Sequence, residues 1–146
     1  MSTLKEKKPK AAKAKPKSES AILGELLKWL NEQPGVWAHR NQVGGVKAGA
    51  RFIRYGLGTG SADVVGSVKL FAGVAVPFAI EAKREDGTLS EAQEKWLRRA
   101  HAAGWLVGVC KSVDDARTML ECSGALLRDG GGVFGLDWFL VDGSED

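Results

Sequence analysis

The segment Phe78-Ala79-Ile80-Glu81-Ala82-Lys83 begins apolar and ends charged. A short apolar run is typical of a buried strand, and residues two apart on a strand share a face. We therefore expect Glu81 and Lys83 to project together from the C-terminal end of a strand. A solvated ion pair at a strand end is the alternative, and the spacing alone fits both interpretations.

The elements on either side of this strand predict an α/β fold. Apolar residues between Ile22 and Leu30 recur at helical spacing, Ser18 can cap that helix, and Pro34-Gly35 stops it. The further predicted elements are, in chain order, strands at Val36–Arg40, Arg51–Tyr55 and Ala62–Gly66, the strand quoted above, a helix at Glu91–Ala103, a strand at Trp105–Cys110 and a helix from Ser112 to about Leu120. This order indicates a mixed sheet flanked by helices.

Two further segments carry weaker signals. Gly44–Gly49 is predicted to be a flexible loop because of its glycines. Trp138–Val141 is a candidate for a last strand or for a segment that docks onto the domain.

The chain of 146 residues is long enough for one domain. Its charge is unevenly distributed along the sequence. Residues 1–18 hold seven lysines and a single acid, whereas the rest holds 14 Lys and Arg against 17 Asp and Glu. We expect residues 1–17 to be a disordered lysine-rich tail and residues 18–146 to form a single domain. The tail is either an arm that binds nucleic acid through its phosphates or a solubilising arm.

The sequence favours a cytoplasmic protein. No run approaches the roughly 20 apolar residues of a membrane span, and the lysine-rich start lacks the apolar run of a secretory signal. Cys110 and Cys122 lack metal-ligand spacing, which favours free thiols in a reducing compartment. We therefore expect the chain in the cytoplasm of a bacterial or phage-infected cell, neither secreted nor bound to a membrane.

Asp63 is a second acidic residue that could lie near Glu81. Asp63 follows the glycine-rich segment Gly56–Gly60 and precedes Val64-Val65, so pairing of its strand with the Glu81 strand would bring two carboxylates to one sheet edge. Carboxylate oxygens suit Mg²⁺ or Mn²⁺, and such an ion with a lysine beside it fits phosphodiester hydrolysis. An ordinary turn acid is the alternative for Asp63. The glycines are followed by a strand, not by a helix, so no dinucleotide loop and no nucleotide cofactor are expected.

Three motifs occur together in a recognisable order. They are Gly60-Ser61-Ala62-Asp63, Ile80-Glu81-Ala82-Lys83 and Leu89-Ser90-Glu91-Ala92-Gln93. In these motifs and their spacing the chain resembles the VRR-NUC (virus-type replication-repair nuclease) family, a branch of the PD-(D/E)XK nuclease superfamily. The resemblance runs from about Glu19 to Ala116.

The resemblance implies a fold and a catalytic centre. The core would be PD-(D/E)XK-like, with a helix, three strands, a helix and a strand. Asp63 and Glu81 would bind the metal with help from the Ala82 carbonyl, and Lys83 would position the attacking water.

Two further residues have both an implied role and a structural alternative. Gln93 would be an accessory site residue, although Ser90 and Gln93 also have the spacing of a capping box. Glu19 would be the glutamate that the family often carries near the metal, although the helix dipole also favours an acid in a first turn. Ala62 departs from the family, which usually has proline before the metal-binding aspartate, and this should loosen the turn without removing a ligand.

The implied function is that of a Mg²⁺- or Mn²⁺-dependent endonuclease that cuts DNA. Its substrate would be branched DNA, such as a Holliday junction, in replication, repair or recombination, and the enzyme would be a homodimer. The alternative is a non-catalytic nucleic-acid-binding protein with a degenerate nuclease fold. Basic residues expected near the site, where they would contact DNA, are Arg40, Lys47, Arg51, Arg54 and Arg84. Trp138, Phe139 and Leu140 offer a dimer interface or pack on their own domain.

Overall fold

A computed structural model describes residues 15–69 and 73–128 of the chain. Its elements are, in chain order, α1 (Glu19–Glu32), β1 (Val36–Arg40), β2 (Gly44–Ala48), β3 (Arg51–Tyr55), β4 (Val64–Lys69), β5 (Ala75–Ala82), α2 (Glu91–Ala102), β6 (Leu106–Cys110) and α3 (Val113–Arg128). The predicted tail up to residue 14 and the candidate segment Trp138–Val141 lie outside the described residues.

Helix α1 forms where its sequence signals place it. The Ser18 hydroxyl accepts a hydrogen bond from the Ala21 amide at 3.2 Å, which satisfies a free N–H of the first turn. The apolar stripe from Ile22 to Leu30 is buried against the sheet. The helix ends at Glu32, just before Gly35 adopts a φ of 75° that favours glycine.

The core is a four-stranded sheet in the order β1-β4-β5-β6. Strands β1, β4 and β5 pair antiparallel, whereas β5 and β6 are parallel, so the sheet is mixed as predicted. Successive side chains of β5 point to opposite faces. Phe78 and Ile80 pack with α1 and α3, whereas Ala79 packs with Leu97 of α2. Helices therefore cover both faces of the sheet, which is the predicted fold class.

The prediction of a flexible loop at Gly44–Gly49 is wrong. Residues 44–48 form β2, which pairs with β3 in a hairpin outside the main sheet. The glycines were misleading because they serve packing: a Cβ at Gly44 would collide with the Tyr55 ring, and one at Gly45 would collide with the Phe52 ring. Aromatic side chains that cross glycines in this way stabilise a strand that has little apolar surface of its own.

The remaining elements agree in type and differ in length. Helix α3 continues to Arg128, beyond the predicted end near Leu120, and β5 begins at Ala75, before the predicted start at Phe78. Within the described part of the chain, no helix combines the length and apolar character needed to cross a membrane.

Candidate metal centre

The two predicted metal-binding acids lie side by side at one edge of the main sheet. Val64 of β4 pairs with Ile80 of β5, so Asp63, which precedes β4, stands next to Glu81. The Asp63 carboxylate accepts a hydrogen bond from the Ala82 amide at 2.9 Å. This bond orients Asp63 across the strand pair toward the end of β5.

Helix α1 adds a third carboxylate. Oxygens of Glu19, Asp63 and Glu81 all lie within 4.8 Å of one another. Glu19 is exposed, Asp63 is partly buried and Glu81 is buried, so the cluster runs from solvent into the protein. Like charges this close favour proton uptake or a bound cation.

Glu81 is the buried end of this cluster, and it is 1% exposed. Its Oε1 accepts a hydrogen bond from Gln93 Nε2 at 2.9 Å, whereas its Oε2 is buried without a hydrogen-bond partner. Burial, and then the charge of Asp63, raise the pKa of Glu81 to about 9, while the charge of Lys83 lowers it. A buried carboxylate oxygen without a donor, beside two further carboxylates, fits a divalent cation.

Lys83 lies just beyond β5, on the same side as Glu81. Its ammonium Nζ is 4.0 Å from Glu81 Oε1, and its side chain is almost fully buried. Its backbone amide donates to the Cys110 carbonyl at 3.1 Å, which continues the pairing of β5 with β6. The solvated ion pair that the spacing also allowed does not form, because both partners are buried.

Gln93 forms the capping box and also contacts the acidic cluster. Its backbone amide donates to the Ser90 hydroxyl, and its Oε1 accepts from the Ser90 amide, so the capping box is present. The other end of the same amide group, Nε2, donates to Glu81. The cap of α2 therefore holds Gln93 in the orientation in which it contacts the acidic cluster.

Sequence reasoning missed Asn41, which organises the turn before Asp63. Its backbone amide donates to the Asp63 carbonyl at 2.7 Å, and its Nδ2 donates to Ser61 Oγ and to the Ala62 carbonyl, both at 2.8 Å. Its Oδ1 accepts from the Leu57 amide at 3.3 Å. These bonds constrain the turn that holds Ala62 and Asp63. The available sequence signal was a polar residue directly after β1.

Ala62 itself is fully buried beside Leu97 and Ala100 of α2. Gly60, two residues earlier, has a φ of 79°, and a Cβ there would collide with the Ala92 carbonyl. The turn that carries Asp63 is therefore pressed against the start of α2, where Gln93 lies.

A cavity of about 400 Å³ opens over the cluster. It is lined by Arg40, Asn41, Gln42, Val43, Gly60, Ser61, Asp63, Glu81 and Gln93. Among the five basic residues predicted to contact DNA, Arg40 is at this cavity.

The other four predicted DNA contacts are not gathered into one patch. Lys47, Arg51 and Arg54 lie on the β2–β3 hairpin, and the register places Lys47 and Arg54 on one face and Arg51 on the other. Arg84 follows β5 and pairs with Asp86 at 3.4 Å. Residues that are close in sequence, such as Arg51 and Arg54, were predicted to act together. Side chains alternate between the two faces of a strand, so these two point in opposite directions.

Comparison with protein families agrees with this geometry. The model of the VRR-NUC domain matches residues 17–114, about two thirds of the chain. The chain belongs to the VRR-NUC family. The matched segment contains the acidic cluster, Lys83 and Gln93, so the VRR-NUC domain includes the whole candidate site. The VRR-NUC domain is a nuclease-type domain, which implies DNA as substrate, and the mixed α/β architecture agrees with a PD-(D/E)XK-like fold. No curated protein and no solved structure matched the chain.

Proposed function

We propose that this VRR-NUC domain is a divalent-metal-dependent deoxyribonuclease that hydrolyses phosphodiester bonds and prefers branched DNA. The observation that carries the proposal is the cluster of Glu19, Asp63 and Glu81, whose carboxylate oxygens lie within 4.8 Å of one another. Within it Glu81 Oε2 is buried without a hydrogen-bond partner, and Lys83 Nζ lies 4.0 Å from Glu81 Oε1. Such a cluster does not stabilise the fold, because burying a carboxylate costs desolvation free energy.

Glu19, Asp63 and Glu81 would hold Mg²⁺ or Mn²⁺, and the Ala82 carbonyl would add a ligand. When bound, such a cation would acidify water and offset charge on the phosphate. Without a cation, the remaining negative charge of the acidic cluster would repel the phosphates of DNA, so cation binding and substrate binding are coupled.

Three residues at or beside the cavity would have further roles. Lys83, buried beside Glu81, would orient the attacking water and stabilise negative charge that develops on the phosphate. Gln93 holds the Glu81 carboxylate in a fixed orientation through its 2.9 Å hydrogen bond. Arg40, at the end of β1 and at the cavity, would contact the DNA backbone near the scissile phosphate.

The preference for branched DNA rests on charge and symmetry. Residues 19–146 hold 14 Lys and Arg against 17 Asp and Glu, so the domain lacks the broad basic surface of a monomeric duplex binder. Two copies related by a two-fold axis would offer two cavities, each with Arg40 in its lining, which matches the symmetry of a four-way junction. We therefore propose a homodimer that makes paired cuts. The candidate interface residues Trp138, Phe139 and Leu140 lie outside the described residues.

A cleavage screen tests the proposal. Labelled flaps, four-way junctions, single strands and duplexes are incubated with the full chain in Mg²⁺, Mn²⁺ or EDTA, and light scattering gives the oligomeric state. We expect cutting only with a divalent cation, fastest on branched substrates, and a dimer at micromolar concentration. Equal cutting of duplex and junction by a monomer would remove the case for branched DNA.

Matched variants test the site. Glu81→Gln keeps the shape of the side chain but removes its charge, and should abolish cleavage. Glu32→Gln, at the exposed end of α1, is the control and should cut like the parent. Cleavage by Glu81→Gln at the parental rate, or DNA binding without cleavage in either cation, would favour the non-catalytic alternative.

A further inference from the structure

The β2–β3 hairpin carries several large apolar side chains that are exposed to solvent. Phe52 is 61% exposed, Val46 is 53% exposed and Ile53 is 50% exposed. The hairpin lies outside the main sheet, and an isolated two-stranded hairpin is marginally stable in water. Large apolar side chains that stay this exposed on a hairpin point to an interaction surface.

The two faces of the hairpin differ in chemistry. Lys47 pairs with Phe52, and Arg54 lies two residues after Phe52, so these three side chains share one face, which we call the aromatic face. The Arg54 guanidinium carbon stands 5.9 Å from the centre of the Phe52 ring. Val46 and Ile53 pair on the opposite face.

The aromatic face leads to a second cavity beside the metal centre. This cavity has a volume of about 320 Å³ and is mainly apolar, with Phe52, Arg54, Tyr55 and Thr59 among its lining residues. Val43 lines both this cavity and the one above the acidic cluster. The two cavities therefore adjoin at the base of the hairpin.

We propose that the aromatic face and its cavity bind an unpaired nucleobase next to the phosphate that is cut. A planar ring with a guanidinium beside it provides a stacking platform that accepts any base. Lys47, on the same face, places a positive charge where it can contact the phosphate next to the stacked base. A paired base is already stacked in its duplex, so this surface selects unpaired nucleotides at branches, loops or ends.

The charges on this face decide between nucleic acid and a protein partner. Two cations beside one aromatic ring complement a polyanion that carries planar bases, whereas an apolar partner would leave those cations desolvated. The inference rests on the proposed nuclease function for its substrate class, and it adds which nucleotides the domain prefers.

A binding experiment in Ca²⁺ tests the proposal without requiring cleavage. The probe is a DNA hairpin with 2-aminopurine in its unpaired loop, compared with the same fluorophore inside a duplex, and gels verify that the DNA stays intact. We expect quenching of the loop fluorophore alone. Phe52→Ala should weaken loop binding by roughly tenfold, and Phe52→Trp should restore it.

Ile53→Ala is the matched control, since Ile53 is similarly exposed on the opposite face. It should bind the loop like the parent, and thermal unfolding of each variant verifies that it is folded. Equal loop binding by Phe52→Ala and parent, or equal losses in both alanine variants, would overturn the proposal. So would a change from dimer to monomer in Phe52→Ala with DNA binding unchanged, because the face would then join two copies.

The outcome is separable from that of the proposed function. If the parent fails to cut any DNA in Mg²⁺ or Mn²⁺ but Phe52→Ala loses loop binding, the nuclease proposal fails and the base site stands. If the parent cuts but shows no preference for unpaired nucleotides, only the base site fails.

Discussion

Replacing Glu81 with glutamine should stabilise the metal-free protein at pH 7. Burial, followed by the charge of Asp63, raises the pKa of Glu81 from 4.5 to about 9. The folded protein therefore holds Glu81 protonated at pH 7, whereas the unfolded chain ionises it. Since pH 7 lies about 2.5 pH units above the unfolded pKa and each unit is worth about 1.36 kcal/mol, the metal-free fold loses about 3 kcal/mol of stability.

Glutamine escapes this cost because it is neutral at every pH. Its carbonyl oxygen can still accept from Gln93, and its neutral amide group replaces the protonated carboxyl. In EDTA at pH 7 the Glu81→Gln protein should be about 3 kcal/mol more stable, a rise in Tm of roughly 10 °C for a domain of this size.

The pH dependence has a definite sign. A raised folded pKa contributes stability that is complete below the unfolded pKa and is lost as the pH rises through the folded pKa. The advantage of Glu81→Gln should therefore vanish below about pH 4.5 and grow toward pH 9.

Chemical denaturation of the parent, Glu81→Gln and the control Glu32→Gln in EDTA, from pH 4 to pH 8.5, measures this difference. Adding Mn²⁺ should stabilise the parent more than Glu81→Gln, because the variant has lost a ligand. A Glu81→Gln protein less stable than the parent at pH 7 in EDTA would refute the reasoning. It would mean that the protein itself, without a cation, holds an ionised Glu81 favourably.

The other predictions concern metal binding, the turn before Asp63 and the tail. Binding of Mn²⁺ at pH 7 should release about one proton from Glu81, seen as a heat that varies with buffer ionisation enthalpy in calorimetry; a buffer-independent heat would contradict this. Asn41→Ala should lower the cleavage rate at least tenfold and weaken Mn²⁺ binding, because the Asp63 turn loses its side-chain hydrogen bonds; unchanged Mn²⁺ affinity would show that the turn holds without them. Deleting residues 1–17, which carry seven lysines, should weaken DNA binding and flatten its dependence on salt concentration, and an identical slope would exclude the tail as a DNA arm.

Local signals in the sequence were sufficient for the elements of the core. The Ser18 cap with its apolar stripe located α1, and the capping box at Ser90 located the start of α2. The change from apolar to charged residues located the end of β5, with Glu81 and Lys83 on one side. These signals are readable because each depends on neighbours within one turn of helix or two residues of strand.

Features that depend on distant pairs required the tertiary structure. Asn41 bonds to Ser61 and Ala62 across about 20 residues, and its position directly after β1 does not identify those partners. The glycines of β2 predicted a loop, whereas in the structure the rings of Tyr55 and Phe52 pack across them. Hydrogen bonding and ring packing between remote segments leave no periodic pattern in the chain.

The metal centre and the hairpin beside it also depend on both the sequence and the tertiary structure. The sequence by itself determined which acids are present and, by resemblance to a family, which of them belong together. Only the fold determined that Glu81 Oε2 is buried without a donor and that Lys47 and Arg54 lie on the face opposite Arg51. Burial and register are properties of packed strands and helices, so they appear only when the sheet and its covering helices have assembled.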